Sequence, residues 1–211
     1  MSLLLHGVVR AGHASGHRVV TWQDLAVVVS TRWDASTHLA VLSELVRTGP
    51  VVPLEFGTTA TDEDAVRAEV LAADAAGLRA DLDRLDGVVE FHAYLRFNED
   101  EALQAVFDER RSGWQGNGDL FTRVRLGEQL VTWRRARSDA LLAPVTAAAR
   151  AEAHLPDRDH AEERRAFLLP HKEIDPARAA IGALEVLAGV DTECVGPLPA
   201  YHFLTGTGSS R

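Results

Sequence analysis

A single cysteine, Cys194, stands among 211 residues. With no second thiol there is no internal disulfide, which fits a reducing compartment. Apolar neighbours and the lack of a second sulfur mark Cys194 as a small buried hydrophobe rather than a nucleophile or metal ligand. Lys172 is the only lysine, and every other basic side chain is arginine. Together with abundant Ala, Val and Asp this reads as codon usage of a GC-rich genome, not as arginine chemistry. Net positive charge is also missing. The formal charge is −9, which argues against nucleic acid as a partner. No uncharged apolar run approaches the roughly 18 residues of a membrane span, so no membrane partner is expected. The opening MSLLLHGVVR lacks a basic leader region and is interrupted by His6, so no signal peptide is expected.

Catalytic signatures are missing as well. The chain holds no GxGxxG, no P-loop and no GxSxG. Nine histidines are scattered, and none forms the helical i, i+4 pair of a zinc motif. His13 and His17 have that interval, but within a glycine-punctuated turn. Glu90 and His92, two apart on one strand face, form a candidate acid–base pair, with a solvated outer face as the competing reading. His171–Lys172–Glu173 precedes a helix and is a candidate anion site, against the simpler reading of a cap and loop. No constellation emerges, and neither a cofactor nor a metal is expected.

What is present is an α+β pattern. Leu3 to Ala11 and the apolar run Asp24 to Thr31 read as strands, the second buried. A helix follows with Leu39, Leu42, Leu45 and Val46 on its inner face, Ser36 or Thr37 as cap, and Gly49-Pro50 as stop. Val51 to Thr58 reads as a short strand. Thr61 to Gly87 reads as helix, with Val66, Val70, Ala73, Leu78, Leu82 and Leu85 inward. Val88 to Phe97 alternates cleanly: Val89, Phe91, Ala93, Leu95 and Phe97 to one face, Glu90, His92, Tyr94 and Arg96 to the other. A short helix with Leu103, Val106 and Phe107 inward, a glycine-rich loop from Ser112 to Asp119, and a long helix from about Leu126 to Ala153 come next. That helix carries Leu126, Leu130, Trp133, Leu141, Val145 and Ala148 on one stripe, with a kink expected at Pro144. A polar loop, a strand Arg165 to Pro170, a helix opened by Asp175-Pro176, and a last strand Glu193 to Phe203 complete the order. Pro197 and Pro199 assign that strand to a sheet edge, with Tyr201 and Phe203 buried. The expected organisation is an N-terminal α+β domain (1–86), a ferredoxin-like C-terminal domain (87–204) and a tail (205–211).

Two proline-marked stretches carry a family resemblance. VVPLEFGT (Val51 to Thr58), behind HLAVLSEL (His38 to Leu45), resembles the V-L-P-[LV]-R-F-G-T segment of the GvpL/GvpF gas vesicle family. CVGPLPAYHF (Cys194 to Phe203) resembles that family's closing T-G-P-W-P-P-Y-[SN]-F. The matching positions include His38, Pro53, Phe56, Gly57, Gly196, Pro197, Pro199, Tyr201 and Phe203. LLLHGVVRA and LDGVVEFHAYL resemble the family's first strand and its L-x-G-x-x-E segment. Glu55 stands where the family usually has arginine, Leu198 replaces its tryptophan, and Ala200 a proline. The resemblance implies two domains, the second a modified ferredoxin-like one, with no catalysis and no cofactor. It implies an accessory role in assembling the gas vesicle, with its small apolar shell protein and other accessory proteins as partners, in the cytoplasm or at the vesicle. The motif residues are its implied interaction positions. The competing class is a small ligand-binding protein or enzyme on a ferredoxin-like domain, using polar groups such as His92, Tyr94 or His171.

Overall fold

The computed structural model describes residues 2–205 except 15, 99, 106–120, 157, 159–160 and 189. The chain forms nine strands among these residues: β1 Leu3–Arg10, β2 Val19–Trp22, β3 Leu25–Ser30, β4 Val52–Pro53, β5 Thr59–Ala60, β6 Val88–Arg96, β7 Ala151–His154, β8 Glu162–Pro170 and β9 Asp191–Leu198. The main helices are α1 Ala35–Thr48, α2 Glu63–Ala65, α3 Ala75–Arg84, α4 (residues 100–105), α5 Phe121–Ala148 and α6 Ile174–Ala188. One sheet runs β2-β3-β1-β4, with β5 also on β1; the other runs β7-β8-β6-β9. The α+β class is as expected from the sequence. The chain divides into two compact units: residues 1–91, 168–171 and 196–211 in one, residues 92–167 and 172–195 in the other.

In the first unit, β1 is the central strand. It pairs antiparallel with β3 on one side and with β4 and β5 on the other. Leu3 through Val9 are all buried, so the strand reads as a continuous apolar run rather than an alternation. Its register against β3 slips at one point. Leu5 faces Val29 while Gly7 faces Val28, leaving His6 as the extra residue of a β-bulge. The β2–β3 hairpin, paired from Val19↔Val28 to Trp22↔Leu25, was not expected. Its turn puts Gln23 at φ 54°, an unusual position for a non-glycine residue and a weak turn signal in sequence.

Helix α1 starts earlier than the hydroxyl residues suggest. Asp34 is its cap: the carboxylate accepts from the Thr37 N–H at 2.7 Å and from the Ser36 and Thr37 hydroxyls at 2.6 Å each. Those three bonds hold its pKa down to about 2. The inner face is His38, Leu42, Leu45 and Val46. Leu39, expected inward, is 52% exposed.

The expected helix from Thr61 to Gly87 is broken. Asp62 caps a short α2, which passes into a π-helical turn, Val66–Ala72, and Asp74 caps α3 anew. A π turn bonds residues five apart rather than four and so holds more residues per turn. It therefore turns Val66 and Leu71 inward, both 0% exposed. Val70 is half-buried and Ala73 exposed.

In the second unit, α5 packs on α6. The expected helix end at Ala153 is corrected: α5 stops at Ala148 and Ala151–His154 forms strand β7. Pro144 lies inside α5. The stripe it buries is Arg134, Ser138, Leu142 and Val145, while Leu130, Trp133, Leu141 and Ala148 are half-buried. Of the polar members, Ser138 finds no hydrogen-bond partner among the described residues, and Arg134 belongs to the cluster around buried Arg165. Arg165 bonds Asp139 (2.6 Å), Glu152 (2.6 Å) and Glu163 (3.1 Å), and Arg134 lies 3.4 Å from Glu163. Side chains of 121–126, and the expected positions Val106, Phe107 and 112–119, lie outside the described residues.

The π turn makes a pointed expectation. Leu71→Ala should destabilise by about 2–5 kcal/mol, and Val70→Ala by clearly less, read from urea midpoints. Equal losses would restore an uninterrupted α-helical register.

Candidate functional site

The first proline-marked stretch is mostly not strand. Only Val52–Pro53 pairs with β1; then the chain turns at Leu54–Gly57 and pairs again at Thr59–Ala60. The turn is fastened twice to one oxygen: the Thr58 N–H and hydroxyl donate to the Glu55 carbonyl at 3.1 and 2.7 Å. Gly57, at φ 96°, occupies the left-handed region that favours glycine. Pro53 is buried in the sheet, whereas Phe56 is 51% exposed.

The second stretch also departs from the strand expected to Phe203. β9 ends at Leu198, and Tyr201–Phe203 form a 3-10 turn. β9 does lie at a sheet edge, as its prolines require. Gly196 passes so close to β6 that a Cβ there would come within 2.8 Å of the Phe91 ring. The Gly196–Pro197 peptide is cis. Pro197 is half-buried and Pro199 buried. Phe203 is buried as expected, but Tyr201 is 37% exposed.

The two stretches meet at His38. Its Nε2 lies 3.1 Å from the Leu54 carbonyl and 3.3 Å from the Tyr201 hydroxyl, which itself donates to Leu54 O at 3.1 Å. The Phe56 ring stands edge-on to the His38 imidazole, centroids 5.5 Å apart. Behind it, His38 Nδ1 is 3.0 Å from Nδ1 of bulged His6, whose Nε2 is 2.9 Å from the Ser30 hydroxyl.

These partners fix the tautomers. A carbonyl only accepts, so His38 Nε2 carries hydrogen and its Nδ1 accepts. With both rings neutral, His6 Nδ1 donates and His6 Nε2 accepts from the Ser30 hydroxyl, which also has the Arg32 carbonyl within reach at 3.2 Å. Both imidazoles are neutral in this arrangement. Burial, then the neighbouring His38 and His17, push the His6 pKa down to about 4. Burial lowers His38 too, against the opposing pull of the Leu54 carbonyl. Burial, then the Glu55 and Glu90 charges, raise Tyr201 to about 12.

Further contacts hold the terminal segment. The buried Glu90 carboxylate, expected on a solvated face, accepts from the His202 backbone N–H (2.9 Å) and lies 2.6 Å from its Nδ1. Buried Asp81 accepts from the Thr205 hydroxyl at 2.6 Å and pairs with Arg84, which also donates to the Phe203 carbonyl. Sequence reasoning did not find His6, Ser30, Asp81 or Arg84. The polar interruption of an apolar strand at His6 is the one signal that pointed there.

Of the polar residues of the alternative reading, two bond each other. His92 Nδ1 bonds the Tyr94 hydroxyl (3.0 Å), and Arg164 stacks over the Tyr94 ring. The His171 N–H donates to the Gly87 carbonyl. In the second unit a cavity of about 310 Å³ is lined by apolar groups including Phe97, Leu130 and Trp133, with Arg134 as its charged member. It involves none of those three residues.

The pH dependence follows with a definite sign. His6 binds a proton near pH 6.5 when unfolded and near pH 4 when folded, so unfolding takes up protons between those values. Its contribution is full above pH 6.5 and is lost as pH falls toward 4. Urea midpoints should drop over that window more steeply in the wild type than in His6→Asn. An unchanged slope would mean the pair titrates normally. Tyr201→Phe, which removes only the hydroxyl, should cost about 1 kcal/mol by the same measurement.

Comparison with known proteins shows what the chain resembles. The family model "Gas vesicle synthesis protein GvpL/GvpF" matches residues 6–205. "Gas vesicle protein F" of Streptomyces sp. (strain CB03234) is 28% identical, aligned over 97% of this chain and 100% of that protein. The fold matches the crystal structure of the gas vesicle protein GvpF from Anabaena sp. PCC7120, with TM-score 0.76 at 13% identity over 98% of this chain and 99% of that one. It matches GvpF from Microcystis aeruginosa with TM-score 0.75, also at 13% identity, over 97% and 99% of the two chains. No helix among the described residues is long and apolar enough to cross a membrane. With the match spanning both proline-marked stretches and the histidine that joins them, the chain belongs to the GvpL/GvpF family of gas vesicle proteins.

Proposed function

We propose that this protein is an accessory factor of gas vesicle assembly, working in the cytoplasm or at the vesicle, without a catalytic step. It binds the small apolar shell protein and keeps it from aggregating before incorporation. The observation that carries this reading is the convergence at His38. Motif residues His38 and Tyr201, 163 positions apart, are hydrogen-bonded into one platform, yet it leaves Phe56 and Tyr201 half in solvent. Exposed aromatics on a fixed support are the usual anchors of protein contacts. The acidic net charge keeps such a factor soluble while it holds an apolar client. Other accessory proteins are candidate partners of the same surface.

For the second half of the chain, the order β-α-β-β-α-β with sheet order β7-β8-β6-β9 supports the modified ferredoxin-like reading. The division into domains 1–86 and 87–204 with a tail 205–211 is part of the same proposal.

The test is co-expression with the shell protein of the same host, scored by soluble shell recovered with the tagged chain. Recovery is expected with the wild type and should fall about tenfold or more for Phe56→Ala or Tyr201→Ala variants of intact circular dichroism. Recovery unchanged in both folded variants would remove the aromatic pair as the contact.

A further inference from the structure

We infer that the Glu55–Phe56 turn receives a segment of the partner in which an arginine or lysine stands next to an apolar side chain. The inference rests on the reading above, that the Phe56–Tyr201 platform is a contact surface of the shell protein, and adds the chemistry of what it takes.

Three observations carry it. First, the turn is rigid and presents its side chains outward: two bonds from Thr58 hold the Glu55 carbonyl, and Gly57 supplies the left-handed step. Second, the apolar surface there is made of Phe56 and Tyr201, both held against His38. The Tyr201 hydroxyl is already committed, donating to Leu54 O and lying in reach of His38 Nε2. What it offers a partner is its ring. Third, the Glu55 side chain is exposed and, among the described residues, has neither an ion pair nor a hydrogen bond. It nevertheless lies close enough to Tyr201 for its charge to act on the phenol.

A purely apolar partner covering the two rings would strip water from that carboxylate and return nothing to it, which disfavours the contact. A second copy of this chain would bring a further acidic surface to the same place. A guanidinium or ammonium solves both problems. It pairs with Glu55 and can lie over the Phe56 or Tyr201 ring. Its apolar neighbour then covers the remaining aromatic surface. The overall charge of −9 favours approach by such a segment.

The experiment uses two fluorescein-labelled octapeptides of leucine and alanine, identical except for a central arginine or glutamate. Each is titrated by anisotropy against the full chain, wild type and Glu55→Gln, Glu55→Arg and Phe56→Ala. The arginine peptide should bind the wild type about fivefold tighter than the glutamate peptide. The preference should disappear in Glu55→Gln, reverse in Glu55→Arg, and fade in 1 M salt, at a screening length of about 3 Å. Phe56→Ala should weaken both peptides. Absent binding, equal binding of the two peptides, or a preference that survives Glu55→Gln overturns the inference. Dimerisation of the wild type in sedimentation, abolished by Phe56→Ala, would assign the surface to a second copy and overturn it too. Shell recovery by wild type and Glu55→Arg separates this inference from the function it rests on. Peptide discrimination without any shell recovery defeats the assembly reading alone. Full shell recovery by both proteins, without peptide discrimination, defeats the charge inference alone.

Discussion

The proton on His38 Nε2 governs the arrangement around it. Because that nitrogen faces the Leu54 carbonyl, the opposite nitrogen must accept, and the requirement passes inward to His6 and Ser30. Outward, the same carbonyl takes the Tyr201 hydroxyl, so one backbone oxygen of the turn fastens both a helix side chain and the returning terminal segment. The chain from Ser30 to Tyr201 has one self-consistent assignment of hydrogens with both rings neutral. The bulge at His6 is what turns this polar side chain toward α1 from a strand whose other inner residues are aliphatic.

Buried polar groups elsewhere follow a similar logic, with charge in place of tautomers. Glu90 and Asp81 each accept from the terminal segment, and Arg165 is surrounded by three carboxylates. Burying such charges gains little net stability, but removing one partner leaves the other stranded. Their effect is selective: they accept one path of the chain and penalise others. Residues 196–205 bury Pro199, Ala200 and Phe203, and these polar contacts add to that packing in fixing where the segment lies.

Much of the fold was legible in the sequence. The alternation of Val89, Phe91, Ala93 and Leu95 gave β6 its apolar face, although Glu90 on the other face is buried too, and the prolines of β9 placed it at an edge. Periodicity failed where the period itself changed. The π turn at Val66–Ala72 moves the inward position from Val70 to Leu71, and nothing in composition announces it. It failed again on α5, where Arg134 and Ser138 occupy core positions, Arg134 beside the buried Glu163 carboxylate, a fact of tertiary structure alone. At the site, motif resemblance selected His38, Phe56 and Tyr201. It could not show that they touch, because residues far apart in the chain acquire their relation only through the sheet. Tyr201 was expected to be buried, and its ring is partly outside because the chain leaves the strand at Leu198 for a 3-10 turn.

The first unit is discontinuous, built from residues 1–91, 168–171 and 196–211. During synthesis its sheet, α1 and the Leu54 turn emerge early, but the residues that bond Glu90, Asp81 and His38 are made more than a hundred positions later. Until then Glu90 lacks its bonds from His202, Asp81 its bond from Thr205, and the His38 ring its contact with Tyr201. The aromatic platform is therefore among the last features of the molecule to form. A nascent or prematurely terminated chain displays Phe56 without Tyr201 beside it, so the surface is complete only on finished molecules.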